Sequence, residues 1–144
     1  MAQRVVIDAN ATLGLFLRLP FSVQVDRQMQ AWGAEEARLI VPTLWEYECL
    51  TGLRRAVTLK LISPKEAERM VEDLLALEFQ RVPPTLELHR AALQWAERIG
   101  QSKVYDAHYL ALAENLSAAF WTADHRLFRA LQGIGVDWVF SFLS

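Results

Sequence analysis

Three consecutive β-branched residues, Val5, Val6 and Ile7, stand near the start of the chain and are followed at once by Asp8. Such a run is typical of a strand buried on both faces, as in a parallel sheet covered by helices. In open α/β sheets, ligands bind in the crevice beyond the carboxyl ends of the strands. Asp8 is therefore predicted to lie where this kind of fold places its chemistry, although an aspartate there can also simply cap the next helix.

The rest of the chain alternates short strands with one or two helices, which predicts a mostly parallel sheet covered on both faces. Further strands are predicted over residues 38–42, 79–82, 118–122 and 136–140. Helices are predicted from a cap at Asn10 or Thr12 to about residue 19, and over residues 22–32, 43–60, 64–77, 86–99, 104–115 and 125–131. The clearest boundary is a capping box, Ser63-Pro64-Lys65-Glu66. Because no repeat, low-complexity tract or linker interrupts this pattern, residues 1–144 are expected to form one α/β domain.

The composition excludes several classes of protein. The net charge of −2 argues against a generally basic nucleic-acid coat, but it allows a local basic rim. A lone cysteine, Cys49, cannot form an internal disulfide, and no Cys/His group has the spacing of a zinc site. No apolar run approaches the roughly 18 residues that span a membrane, and Asp8 interrupts the first apolar stretch too early for a signal peptide. A soluble, cytoplasmic protein is expected.

Further acidic residues are predicted at the same edge of the sheet as Asp8. Asp124 follows a strand as Asp8 does, and strand-end carboxylates of neighbouring parallel strands lie close together. Asp106 opens the helix that precedes that strand, so this helix points its N-terminus at the same edge. Each of these aspartates has an ordinary alternative role, as a helix cap or as a favourable charge near a helix N-terminus.

The helix after Pro42 offers two further acids, Glu46 and Glu48, and helical periodicity alone does not choose between them. Four acids at one edge would repel one another unless they were protonated or neutralised by a divalent cation. Oxygen ligands without His or Cys suit Mg²⁺ or Mn²⁺, and such sites activate water for phosphoryl displacement.

Four short motifs, read in order, carry a family resemblance across nearly the whole chain: Val-Val-Ile-Asp8-Ala-Asn10, Pro42-Thr-Leu-Trp45-Glu-Tyr47-Glu48, Tyr105-Asp106-Ala107-His-Tyr109-Leu-Ala-Leu-Ala113-Glu114, and Trp121-Thr122-Ala-Asp124. With them the chain resembles the PIN-domain family, in particular the VapC-type ribonuclease toxins. The resemblance implies a three-layer αβα PIN-like domain with a five-stranded parallel sheet. It selects Glu48 over Glu46 and implies an acidic metal site formed by four residues: Asp8, Glu48, Asp106 and Asp124. Asn10 and Thr122 match the polar positions that support such a site.

The same resemblance implies a function and partners. It implies a divalent-metal-dependent endoribonuclease that hydrolyses RNA phosphodiester bonds, acts as the toxin of a type II toxin–antitoxin pair, forms a homodimer and is held inactive by a small antitoxin. The alternative is a non-catalytic PIN-like module that binds RNA or antitoxin. The RNA target, the number of metals and the existence of an antitoxin stay open.

Basic residues follow Glu48 and Asp124 and precede Asp106, and they form a candidate rim for the phosphate backbone of a substrate. The candidates for substrate binding are Arg54, Arg55, Lys103 and Arg126, with Lys60 and Arg129 further along the same helices. Solvated Arg and Lys on exposed helix faces are the ordinary explanation for all of them.

Overall fold

The computed structural model describes residues 2–143, and these contain a sheet of five parallel strands. The strands are β1 (Arg4–Ile7), β2 (Arg38–Pro42), β3 (Gln80–Val82), β4 (Ala119–Thr122) and β5 (Val139–Ser141). Their order across the sheet is β3-β2-β1-β4-β5, which places β1 in the centre. Val6 pairs with Ile40 of β2 on one side and with Phe120 of β4 on the other. The predicted five-stranded parallel sheet is confirmed.

The helices follow the strands in the predicted alternation. They are α1 (Ala9–Leu13), α2 (Ser22–Ala34), α3 (Leu44–Thr58), α4 (Pro64–Leu75), α5 (Leu86–Arg98), α6 (Tyr105–Asn115) and α7 (His125–Gly133). The capping box before α4 is present, since Ser63 and Glu66 each accept a hydrogen bond from the other's backbone N–H. None of the helices within residues 2–143 is both long enough and apolar enough to cross a membrane.

Most predicted boundaries lie within two residues of those in the structure, but the end of the first helix and the start of the last strand differ by three or more. The first helix was expected to reach residue 19, but α1 ends at Leu13 because the N–H groups of Gly14 and Leu15 donate to carbonyls three residues back, which tightens the turn. The last strand was expected from residue 136, but β5 begins at Val139. The Val136 N–H still donates to the Leu131 carbonyl at the end of α7, so this residue belongs to the helix-closing turn.

The sheet is covered on both faces, and β4 shows this directly because consecutive residues of a strand point to opposite sides. Phe120 faces α6, where the Tyr109 ring stacks on it at 5.9 Å between centroids. Trp121 faces α2, where the Trp32 ring meets it edge to face at 5.4 Å. Val5, Val6 and Ile7 of the central strand are completely buried, as the β-branched run predicts.

The strand order brings the predicted acidic segments to one edge. Ile7 pairs with Trp121, so the chain leaves β1 at Asp8 directly beside the end of β4 at Thr122. On the other side of β1, strand β2 ends at Pro42 and leads into α3, which carries Glu48. The carboxyl edge formed by β2, β1 and β4 is therefore the place to look for the site.

Candidate active site

Asp8 sits at the end of the central strand and is buried, with 9% of its surface exposed. One carboxylate oxygen, Oδ1, accepts a hydrogen bond from the Ala11 N–H at 2.8 Å, so Asp8 is the N-cap of α1. The prediction that Asn10 or Thr12 caps this helix is therefore wrong. Asn10 is exposed within α1, while the Thr12 hydroxyl donates to the Asp8 carbonyl. A β-region backbone at Asp8 gives its side chain the geometry of a cap, which a residue inside the helix does not have.

Thr122 joins the two acids that follow neighbouring strands. Its hydroxyl donates to Oδ2 of Asp8 at 2.5 Å and accepts from the Asp124 N–H at 2.9 Å. Asp124 itself caps α7, since its Oδ1 accepts from the Leu127 N–H at 3.0 Å. Both strand-end aspartates are thus helix caps as well as members of the acidic edge, and one buried hydroxyl fixes their relative position.

Glu48 and Glu46 point to different partners. Oε1 of Glu48 accepts a hydrogen bond from the buried hydroxyl of Tyr109 at 2.8 Å. Oε1 of Glu46 instead lies 3.3 Å from Nε of Arg81, in an ion pair at the surface. The structure therefore brings Glu48, and not Glu46, next to α6 and the other predicted acids.

Asp106 lies in the first turn of α6, and its Oδ2 accepts a hydrogen bond from Nε2 of Gln101 at 3.1 Å. The negative charge of Asp106 helps to raise the pKa values of Asp8 and Glu48, and the charge of Asp124 helps to raise the pKa of Asp106. Asp106 is therefore the electrostatic centre of the group, linked to the other three acids.

Burial changes the proton affinity of these acids. The pKa of Asp8 is raised to about 7, mainly because burial removes its hydration, and hydrogen bonds from Thr122 and Ala11 oppose this only in part. Burial is also the main reason why the pKa values of Glu48 and Asp106 are raised, and neighbouring negative charge adds to both. Burial therefore favours the protonated forms of Asp8, Glu48 and Asp106.

A cleft of about 350 Å³ opens onto two of these acids. It is lined by Glu48, Gln101, Ser102, Lys103, Tyr105 and Asp106. Lys103 is the predicted rim residue that the structure brings to this cleft. The side chains of Arg54, Arg55 and Arg126 are exposed on α3 and α7 and do not line it.

Sequence reasoning missed two residues that contact the acids. Tyr109 enters the sequence prediction only as a member of the family motif, and Gln101 does not enter it. Helical spacing offered a signal for the first, because Tyr109 lies three residues after Asp106 and so on the same face of α6. Gln101 lies in a loop, where no periodicity indicates the direction of its side chain.

The residues at this edge fit a hard divalent cation by their chemistry. The four acids offer only oxygen ligands, which suit a hard cation. Within residues 2–143 the ion pair is between Arg81 and Glu46, so no Lys or Arg side chain pairs with any of the four acids. As the side chains stand, no three His, Cys, Asp or Glu residues of the described chain are close enough together to hold an ion. Carboxylates with no cation between them repel, so we expect a metal to draw them closer.

Comparison with known proteins identifies the family. A family profile described as PIN domain matches residues 5–133. Ribonuclease VapC9 of Mycobacterium tuberculosis is 35% identical over 123 residues, which cover 85% of this chain and 87% of that protein.

Two solved structures share the fold. PAE2754 from Pyrobaculum aerophilum has a TM-score of 0.70 at 22% identity, covering 99% of this chain and 86% of its own. A chain of a toxin-antitoxin complex from Klebsiella pneumoniae has a TM-score of 0.66 at 16% identity, covering 94% of both chains. At such identities the structures support the fold alone, whereas the profile and the ribonuclease relative decide the family. The chain belongs to the PIN-domain family.

Proposed function

We propose that this chain is a divalent-metal-dependent endoribonuclease and the toxin of a type II toxin–antitoxin pair. The observation that carries the proposal is the set of hydrogen bonds and charge interactions that connect four acids from four separate segments near the carboxyl edge of the sheet. They are joined through Thr122, through Tyr109 and through the charge of Asp106. Membership of the PIN-domain family and similarity to a ribonuclease support RNA as the substrate.

The proposed metal ligands are Asp8, Glu48, Asp106 and Asp124, and the proposed ion is Mg²⁺ or Mn²⁺. When bound at carboxylates, such an ion activates water and stabilises the charge that develops in phosphodiester hydrolysis. Asp8 and Asp124 keep fixed orientations because one oxygen of each caps a helix. Their remaining lone pairs are left for the ion, since a carboxylate can accept about four hydrogen bonds or ligand contacts.

The supporting residues hold these acids in place. Thr122 fixes Asp8 relative to the start of the Asp124 segment. Asn10 is exposed two residues after Asp8 and is proposed to support the site from there. Lys103 contributes positive charge at the cleft beside Glu48 and Asp106, where a substrate phosphate would lie. Arg54, Arg55 and Arg126 are proposed as more distant contacts to the RNA backbone.

The proposed partners are an RNA substrate, a small antitoxin and a second copy of the chain, all in the cytoplasm. Structural likeness to a chain of a toxin-antitoxin complex supports an antitoxin. Glu48 and Asp106, which line the cleft, support a partner with positive charge, because uncompensated carboxylates attract cationic groups. We also propose that residues 1–144 form one PIN domain.

The test is RNA cleavage by the purified protein in the presence of Mn²⁺ or Mg²⁺, with EDTA as the metal-free condition. Asp8→Asn and Asp124→Asn should abolish cleavage, while Asp26→Asn, a matched change on the exposed side of α2, should leave it intact. Persistent cleavage in EDTA, or equal cleavage by Asp8→Asn and wild type, would contradict the proposal. RNA binding without cleavage at any metal concentration would instead support the non-catalytic PIN-like binding module.

A further inference from the structure

We infer that Tyr109 is a positioning residue that holds the Glu48 carboxylate in place for metal binding. This inference rests on the proposed metal-dependent function and goes beyond it, because Tyr109 is not itself one of the proposed ligands. The observation behind it is the hydrogen bond that the Tyr109 hydroxyl donates to Oε1 of Glu48 at 2.8 Å.

The donor is held rigidly. Only 1% of Tyr109 is exposed, and its ring lies on Phe120 of β4 with an angle of 27° between the ring planes. Phe120 is itself completely buried in the sheet. In a close-packed interior such a ring has no room to change rotamer, so its hydroxyl oxygen is a fixed point.

Glu48, the acceptor, needs this support more than the two helix-capping acids do. Asp8 and Asp124 are short side chains whose orientation is set by the helices that they cap. Glu48 is longer, lies within α3 and caps nothing, so no backbone N–H fixes its carboxylate. The charge of Asp106 also disfavours an approach of the Glu48 carboxylate. A hydrogen bond to a charged acceptor is among the stronger ones and can hold the carboxylate against this repulsion.

Tyr109 also couples two of the proposed ligands. It lies on the same face of α6 as Asp106, one turn further along the helix. One helix therefore presents an acid of its own and the donor that holds the acid of α3. The position of the Glu48 carboxylate is therefore set by α6, the same helix that carries Asp106.

The inference is tested by Mn²⁺ binding to the metal-free full-length protein, measured by isothermal titration calorimetry. Residues that hold metal ligands in place typically contribute 10–100-fold in affinity, so Tyr109→Phe should weaken Mn²⁺ binding by roughly that factor. The phenylalanine keeps the ring that packs on Phe120, so the thermal midpoint verifies that the fold is intact. Tyr47→Phe is the matched control, because this tyrosine on α3 is 77% exposed and adjoins Glu48 in sequence.

A second background separates positioning from a general structural effect. In Glu48→Ala protein the acceptor is gone, so adding Tyr109→Phe should change the Mn²⁺ affinity no further. Wild-type affinity in Tyr109→Phe, or an equal loss in both backgrounds, would overturn the inference while leaving the nuclease proposal standing. If the wild-type protein binds no Mn²⁺ and cleaves no RNA, the proposed function itself fails and the inference falls with it.

Discussion

The raised pKa of Asp8 makes a specific prediction about stability without metal. The pKa lies near 7 in the folded protein against an ordinary value of 3.8, so the folded state holds this proton more tightly than the unfolded state. The resulting stability is complete below pH 3.8 and is lost as the pH rises through 7. At about 1.4 kcal/mol per pKa unit, the loss from Asp8 is about 4 kcal/mol in all and about 3 kcal/mol between pH 5 and pH 8. For a chain of this size, 3 kcal/mol corresponds to about 6–12 °C in the thermal midpoint.

The perturbation is Asp8→Asn, which removes the charge and keeps a side chain that caps α1 about as well. In the metal-free protein we expect Asp8→Asn to melt higher than wild type at pH 8 and close to wild type at pH 5. The Asp8→Asn protein keeps some pH dependence, because the pKa values of Glu48 and Asp106 are raised in the same direction. Asp26→Asn on the exposed side of α2 should follow the wild-type curve.

Metal should reverse this order. A ligand that binds only the folded state stabilises by about 3 kcal/mol at 100 times its dissociation constant. Added Mn²⁺ should therefore restore the stability of the wild-type protein at pH 8 and should stabilise the Asp8→Asn protein much less. The measurement is the thermal midpoint by circular dichroism at pH 5 and pH 8, with EDTA or Mn²⁺. The reasoning is refuted if Asp8→Asn and wild type lose equal stability from pH 5 to pH 8, or if Mn²⁺ stabilises both equally.

Two further predictions concern residues around the acidic edge. Thr122→Val removes the hydroxyl that donates to Asp8 and accepts from the Asp124 N–H. The free energy of unfolding in urea should fall by about 1–3 kcal/mol, and Mn²⁺ binding should weaken. Unchanged values for both would contradict the bridging role of Thr122. Gly52→Ala places a Cβ 2.1 Å from Cδ1 of Leu13 between α3 and α1, so overpacking of about 1–3 kcal/mol should offset the usual helix gain. As a control, the new Cβ of Gly33→Ala on α2 meets nothing within 4 Å, so this change should stabilise the protein by up to about 1 kcal/mol. An equal gain from Gly52→Ala would contradict the prediction, because it would show that the Leu13 side chain moves aside at no cost.

The fold was predictable from the sequence because its signals are local. The β-branched run before Asp8, the proline that ends β2 and the capping box before α4 each mark a boundary without reference to the rest of the chain. Boundaries failed where the deciding interaction is a turn hydrogen bond, as after Leu13 and at Val136. The amino acids at these two places do not indicate which carbonyl oxygen a backbone N–H will bind.

The candidate site was predictable in its members but not in its connections. Strand ends predict that Asp8 and Asp124 share an edge, since parallel strands end together. Helical periodicity leaves the choice between Glu46 and Glu48 open, and only the family resemblance selects Glu48. The physical reason is tertiary, because Arg81 of β3 pairs with Glu46 and Tyr109 of α6 holds Glu48. Such long-range partners leave no periodic trace in the sequence.

The connections divide the four acids into a pair held by backbone N–H groups and a pair held by side-chain donors. Asp8 and Asp124 are held by backbone N–H groups of the helices that they cap, so moving them would uncap α1 and α7. Glu48 and Asp106 are held only by side-chain donors and line an open cleft. Since the acids do not yet form a closed ligand set, we expect metal binding to turn the carboxylates of Glu48 and Asp106 toward Asp8 and Asp124, with Glu48 still hydrogen-bonded to Tyr109. Substitutions that stiffen the start of α6 should therefore change metal affinity more than substitutions that stiffen α1.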